Sequence, residues 1–394
     1  GQITINGAID STIYYSVGTD TAALYSGNGS ASSGTLTLAA AAIDRIGVGD
    51  EVRVGSNRYY ISGRNSATEF AIQNSAANSG TPGDTSLTFG SQSISIYRAF
   101  NSLSAAQSGS SDANHLNTTD LSANNFQLNW ACYNDGPDTS LEVTVENWTT
   151  SASYYIRIYT PTGSSEVGTS QRHTGVAGTG YRLAPVNATQ DYFEMLYTKV
   201  EYFRVEGIEI DGSGLTDALR VRGILVMKGM TTVGDIRIDA CIIHDLATNA
   251  GTYQYEGSFG IMDTQEADNN GPPMRITNNI IYNISNNIAV GHCGGILVGS
   301  RTTSYVYNNT IYKVYNDSGA AWGIVAKSWG GTQEATVIAK NNYSGDTQTP
   351  NSADYDYAAM DGATLTQSYN VASDTSASGT GSIDSQSAYS TYFT

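Results

Sequence analysis

Residues 274–313 decide the fold. They read MRITNNIIYN at 274–283, a Gly-rich run GHCGGILVGS at 291–300, and YVYNNTIYK at 305–313. The octet ITNNIIYN at 276–283 returns as VYNNTIYK at 306–313. The same frame fits IDACIIHD at 238–245 and, more loosely, IAKNNY from Ile338. A unit that recurs with its Asn, its central Ile and its aromatic in step is a structural repeat.

Two signatures alternate outward from this stretch. One is Gly-Ile inside an apolar run, at Gly223-Ile224, Gly260-Ile261, Gly295-Ile296 and Gly323-Ile324, spaced 37, 35 and 28 residues apart. The other starts at Val205, Ile238, Ile276, Val306 and Ile338, spaced 33, 38, 30 and 32 apart. Strands of fixed length joined by variable loops give this pattern, and no helical stripe separates the units. Each unit holds about three short strands, so one unit is one coil of a parallel β-helix, with coils stacked at ~4.8 Å. On this reading Ile238, Ile276 and Val306 stack inside, as do Ile243, Ile281 and Ile311. Asn278 and Asn308 share one corner, and Asn279, Asn309 and Asn341 the next column. His244, Tyr282 and Tyr312 form an aromatic column. Six or seven coils fit between residues 126 and 345.

Residues 1–95 carry short alternating runs separated by turn residues, as at Gly27-Asn28-Gly29 and Pro82-Gly83-Asp84, and read as a small antiparallel β module. In residues 94–107, Ile96, Ala99, Phe100, Leu103 and Ala106 follow a helical stripe, so 96–125 reads as a capping helix and linker that covers the first coil. Residues 346–394, rich in Ser, Thr, Ala and Asp, read as a C-terminal cap or tail. The fold class is therefore all-β: a parallel β-helix over 126–345, preceded by a capping helix and an N-terminal antiparallel module.

The chain of 394 residues has 14 % charged residues, 27 Tyr, 7 Pro and a net charge of −17. Such acidity repels a phosphate backbone and argues against nucleic acid. No apolar run approaches the ~20 residues of a membrane helix. Three cysteines, Cys132, Cys241 and Cys293, make neither a disulfide framework nor a zinc motif, and read as small buried residues. The chain opens Gly1-Gln2-Ile3 without a signal region, so a secreted protein would be present here in its mature form.

Residues 126–345 resemble the right-handed parallel β-helix superfamily, the pectate-lyase-like fold, through the Gly-Ile runs followed by ITNN-IIYN and VYNN-TIYK. The resemblance is to secreted bacterial members and implies the fold. It leaves function open among polysaccharide lyases and hydrolases, tailspikes and adhesins.

Several constellations could carry chemistry. Asp263, Glu266 and Asp268 sit in an acidic loop with the oxygen ligands a Ca²⁺ site needs, though without EF-hand spacing. Glu206, Glu209, Asp211 and Asp239 form an acidic group that suits a catalytic carboxylate pair, with Arg204, Arg220, Arg222, Arg237 and Arg275 close enough in sequence to neutralise it. His244-Asp245 resembles a base with its orienting acid, but no Ser nucleophile motif accompanies it. Trp322, Trp329, Tyr282 and Tyr312 are candidates for stacking on sugar rings. No Arg-plus-Asp set stands at the register a lyase needs. The sequence thus points first to a secreted, non-catalytic solenoid that self-assembles at a cell surface or in a filament, as a homo-oligomer joined through termini such as 2–9 or through sheet edges. A lyase or hydrolase acting on extracellular polysaccharide, and a glycan-binding adhesin, are the alternatives.

Overall fold

The computed structural model describes residues 11–74, 80–186, 192–216, 220–227, 231–251, 257–264, 271–299, 301–328, 334–350 and 354–386. Three parallel sheets wind around one apolar column. Sheet A has nine strands, among them Ser11–Val17, Phe126–Cys132, Ile156–Tyr159, Tyr202–Glu206, Asp235–Asp239, Met274–Thr277, Ser304–Tyr307 and Thr336–Lys340. Sheet B has eight, running from Pro137–Asp138 through Ile242–Thr248, Ile280–Asn286 and Thr310–Asn316 to Val371–Ala372. Sheet C has seven, from Val143–Val145 through Gly257–Thr264, Cys293–Val298 and Ala321–Lys327 to Asp354–Met360. The chain visits A, B and C in turn, so each coil lays one strand on every sheet.

The inward columns are those the repeat implies. Ile238 pairs with Ile276 and Ile276 with Val306; Ile243 pairs with Ile281 and Ile281 with Ile311. All six are fully buried. The Gly-Ile runs lie on sheet C, where Ile224, Ile261, Ile296 and Ile324 stack. Gly223, Gly260 and Gly295 face the Ile243, Ile281 and Ile311 column of sheet B. A Cβ on Gly295 would lie 2.7 Å from Ile311 Cγ2, and one on Gly260 2.6 Å from Ile281 Cγ2. Only glycine lets the two sheets close to this distance.

The corner between sheets A and B holds an asparagine ladder. The Nδ2 of Asn279 donates to Asn309 Oδ1 at 2.9 Å, Asn309 to Asn342 at 3.0 Å, and Asn342 to Asn370 at 3.1 Å. Each Oδ1 also accepts the backbone N–H of the preceding rung, beginning with Cys241 N–H on Asn279. These amides are buried and meet one another inside the chain. The ladder corrects the expected frame by one residue after Val306. Val306 faces Ala339, not Ile338, so Asn342 extends the ladder. Asn341 falls instead in the corner column of Asn278 and Asn308, all three at φ of 55–58°. That left-handed turn is where Asn is tolerated and most side chains are strained.

The N-terminal module is a closed antiparallel barrel of six strands from Tyr25–Ser32 to Phe89–Tyr97, filled by Leu36, Val52, Phe70, Ile72, Ile94 and Ile96. Its boundaries differ from the expectation in two ways. Residues 11–17 lie outside the barrel as the first strand of sheet A, parallel to Phe126–Cys132 from Ser11↔Phe126 to Val17↔Cys132. Residues 94–97 are not helical: the Ser-Ile-Ser-Ile alternation buries every second side chain in the barrel, and period two overrides the helical stripe. The helix comes later and is shorter, Leu103–Gly109, with Ser102 as its N-cap. Leu103 and Ala106 join the solenoid core, and Ser110 Oγ accepts from Trp130 Nε1 at 2.8 Å, so the helix does cover the first coil.

The solenoid also continues past residue 345. Strands Asp354–Met360, Thr364–Ser368 and Val371–Ala372 add to sheets C, A and B, and residues 374–386 fold over the last rung through Ala372 N–H→Ile383 O and Tyr369 N–H→Thr380 O. The segment that composition marks as a tail is solenoid and cap as far as it is described. Residues 2–9 lie outside the described residues. No described helix is long and apolar enough to cross a membrane. The three cysteines are buried, as expected, and none is bridged; burial pushes the Cys241 thiol up to about 12.

Candidate functional site

Sheet B brings together residues that the sequence keeps in separate groups. Register pairs Asp211 with His244 and His244 with Tyr282, and Tyr282 pairs with Tyr312. The His244 ring lies flat on Tyr282, with centroids 4.9 Å apart and 4° between planes. Its Nε2 is 3.1 Å from Glu209 Oε1, and its Nδ1 is 2.7 Å from Asp245 Oδ2 and 3.9 Å from Asp211 Oδ1. Arg182 pairs with Asp211 at 3.0 Å, and Gly178 N–H donates to Glu209 Oε2 at 2.6 Å. Glu209, Asp211 and His244 are all buried.

The electrostatics follow from that geometry. Burial draws the His244 pKa down, but the hydrogen bonds to Glu209 and Asp245 and the charge of Asp211 outweigh it, and the net shift is upward. Burial likewise acts to raise Asp211, yet the Ser213 hydrogen bonds and the charges of His244 and Arg182 hold it below the usual carboxylate range. Burial and the surrounding acids push the Tyr282 phenol up to about 12. Both ring nitrogens face carboxylates, Glu209 and Asp245, an arrangement that favours the doubly protonated ring. A doubly protonated imidazole has no lone pair with which to accept a proton as a general base.

Glu209, Asp211 and His244 each offer a ligand atom, all within 4.8 Å of one another, so the cluster could hold a metal ion. A carboxylate–carboxylate–imidazole set suits a first-row divalent metal better than Ca²⁺, which takes oxygen ligands. Such a metal would replace the imidazole proton.

Beside this cluster runs a groove of about 630 Å³. Two neighbouring columns of sheet B line it over four rungs: Asp245, Asn283, Lys313 and Asp346, then Ala247, Ser285, Tyr315 and Gln348. Asp245, Asn283, Lys313 and Asp346 all adopt left-handed φ of 55–57°, which breaks the strand's alternation inside each rung. Asp245 belongs to both features: its Oδ2 meets His244, and its Oδ1 accepts from Asn283 Nδ2 at 2.8 Å. Tyr315 is 38 % exposed, and its hydroxyl donates to Asp317 Oδ1 at 2.8 Å.

The sequence candidates are dispersed. Tyr282 and Tyr312 do lie on sheet B, one under His244 and the other with the Lys313 ammonium over its ring at 5.2 Å. Trp322 does not face solvent. It is 2 % exposed, packed against Phe259 and His292 in a second apolar layer on sheet C, so the expected sugar stacking is corrected for this residue. Asp263 is buried in a sheet C strand, while Glu266, Asp268 and Trp329 lie outside the described residues. The acidic group splits: Glu206 and Asp239 pair on sheet A, and Glu209 and Asp211 lie on sheet B. Tyr315 and the groove carried no motif; only the register of the repeat places Asp245, Asn283, Lys313 and Asp346 in one file.

No protein-family model matches the chain, and no characterised protein and no solved structure shows significant similarity to it.

Proposed function

We propose that the protein is a secreted, non-catalytic β-solenoid of the pectate-lyase-like kind that binds a glycan chain in the sheet B groove, as an adhesin or cell-surface component does. The groove carries the reading. It is long, spans four rungs, and combines short amide, hydroxyl and carboxylate side chains with the exposed ring of Tyr315. Sugars are recognised by that combination of hydrogen bonds and ring stacking. Binding is favoured over turnover because the acids near the groove already have partners: Asp245 is held by His244 and Asn283, and Asp346 accepts from the Gln348 amide. Display is favoured over end-to-end assembly, because the helix and barrel cover one end and residues 374–386 the other.

A glycan array followed by calorimetry on the hits tests the proposal. We expect micromolar or weaker binding to an extended glycan and a loss of about tenfold in Tyr315→Ala, the effect of one lost stacking contact of about 1.4 kcal/mol. An array without hits sinks it. New reducing ends, or unsaturated products absorbing in the ultraviolet, would replace it with the hydrolase or lyase reading.

A further inference from the structure

Sheet A carries a second feature on its outer face. Arg157 pairs in register with Arg204, Arg204 with Arg237, and Arg237 with Arg275. Four guanidinium groups therefore stand in single file on consecutive rungs, ~4.8 Å apart along the solenoid. The whole chain has only 19 Lys and Arg against 36 Asp and Glu. Like charges directly opposite one another destabilise a sheet, so a file of four is costly to the fold taken alone.

The surrounding acids neutralise the row only in part. Arg157 pairs with Glu206, its Nε 3.0 Å from Oε2. Arg237 and Arg275 share Asp235, at 2.6 and 3.1 Å. Asp239 is engaged by Thr277 and by Asn278 Nδ2 at 2.7 Å. Arg204 has neither an ion pair nor a hydrogen bond among the described residues. Its guanidinium lies 3.6 Å from the centre of the Tyr155 ring. Rings hold other members of the row: Arg157 lies over Tyr159 at 3.8 Å and Arg275 over Tyr305 at 5.5 Å. Stacking fixes the plane of a guanidinium and leaves its N–H edge free to grip a carboxylate or sulfate with two hydrogen bonds. Asp235 and Glu206 act on Arg204 only through space, so its N–H groups have no direct acceptor among the described residues.

We propose that the outer face of sheet A is a binding surface for an acidic glycan, a polyuronate or a sulfated polysaccharide, lying along the solenoid axis with successive anions on successive arginines. The spacing selects the class. A glycan with one anion per sugar ring presents its charges at a repeat comparable to the rung. Duplex DNA carries a charge every ~1.7 Å, which does not match arginines one rung (~4.8 Å) apart. This surface is distinct from the sheet B groove and needs none of its residues.

The test compares binding of the intact chain to polymannuronate, dextran sulfate, uncharged dextran and duplex DNA by biolayer interferometry at low and moderate salt. We expect binding to polymannuronate or dextran sulfate, with the tighter of the two identifying carboxylate or sulfate as the natural anion, and salt-dependent weakening. Dextran should not bind. Arg204→Gln should lower the affinity about tenfold, and Arg204→Lys should recover only part of it. Because Arg204 makes no ion pair, the melting temperature of Arg204→Gln should stay close to that of the wild type, and Tyr315→Ala should bind the acidic glycan normally. Unchanged affinity in a folded Arg204→Gln protein overturns the proposal. So does DNA binding as tight as either acidic glycan, or self-association that Arg204→Gln abolishes, which would make a second copy of the chain the partner.

Discussion

His244 shows how one position in a repeat acquires a different chemistry. The rungs that follow place Tyr282 and Tyr312 in its column. Only His244 has two carboxylates at its nitrogens. Its raised pKa fixes the sign of a pH effect. The favourable contribution of the imidazolium is complete below the unfolded pKa of about 6.5 and is lost as pH rises through the higher folded value. Urea melts of wild type and His244→Gln at about pH 6 and about pH 9 should therefore differ most at the lower pH. A gap that widens with pH would mean the ring is neutral in the folded state. This arrangement was half legible in the sequence. Glu209 and Asp211 stand at i, i+2 and so share a face, and the repeat frame puts His244 in the aromatic column. What could not be read was that Asp211 and His244 are opposite each other, because the coil with Glu209 departs from the Asn-containing octet.

Between strands, the asparagine ladder sets the register. The Asn309 amide is engaged on both sides: its Oδ1 accepts from the N–H and the Nδ2 of Asn279, at 3.0 and 2.9 Å, while its Nδ2 donates to Asn342 Oδ1 at 3.0 Å, to Ile276 O at 2.9 Å and to Tyr307 O at 3.1 Å. Asn309→Ala strands buried polar groups that no water reaches. At ~1–3 kcal/mol for each such group, a loss of about 3 kcal/mol is expected in chemical denaturation. Asn308→Ala, one residue away at the exposed left-handed corner, should cost only about 1 kcal/mol. Equal losses at the two positions would show that the ladder contributes only turn geometry. The Asn-Asn pairs were plain in the sequence, but the frame slipped at Ile338, since an Ile outranks an Ala as a guess for a core column. Ala339 is nonetheless the buried residue, and Ile338 lies on the outer face. The helix misreading at 94–97 has a similar origin. Ile96 and Phe100 satisfy both periods, and pairing with Tyr25–Ser32 and Glu51–Val54 decides between them at Ile96.

For the molecule as a whole, one buried residue joins barrel to solenoid. Arg98 meets Asp50 of the barrel at 2.8 Å and Asp135 of the first coil at 2.6 Å, with its guanidinium 3.6 Å from the Tyr133 ring centre. Val48 and Val167 pack beside it, and Gly47 bridges to Val167. Removing the buried cation leaves Asp50 without a charge partner and Asp135 with Arg45 alone, so Arg98→Met should cost about 3–5 kcal/mol. Calorimetry should then resolve separate barrel and solenoid transitions in place of one. A single, merely shifted transition would show that the apolar contacts alone couple the two parts. Local pattern identified both bodies, yet it gave no hint that residues 11–17 belong to the second of them, because a strand's partner leaves no mark on its own sequence.

That first strand has a consequence for biosynthesis. Each later rung is laid beside a neighbour made one turn earlier, whereas Ser11 waits for Phe126, with the entire barrel emerging from the ribosome in between. The barrel can close as soon as Phe89–Tyr97 is made, and from that moment it holds residues 11–17 close to where the first coil will arrive. The inserted module thus acts as a jig for the nascent chain, turning a distant encounter into a short-range one before the winding of the coils begins.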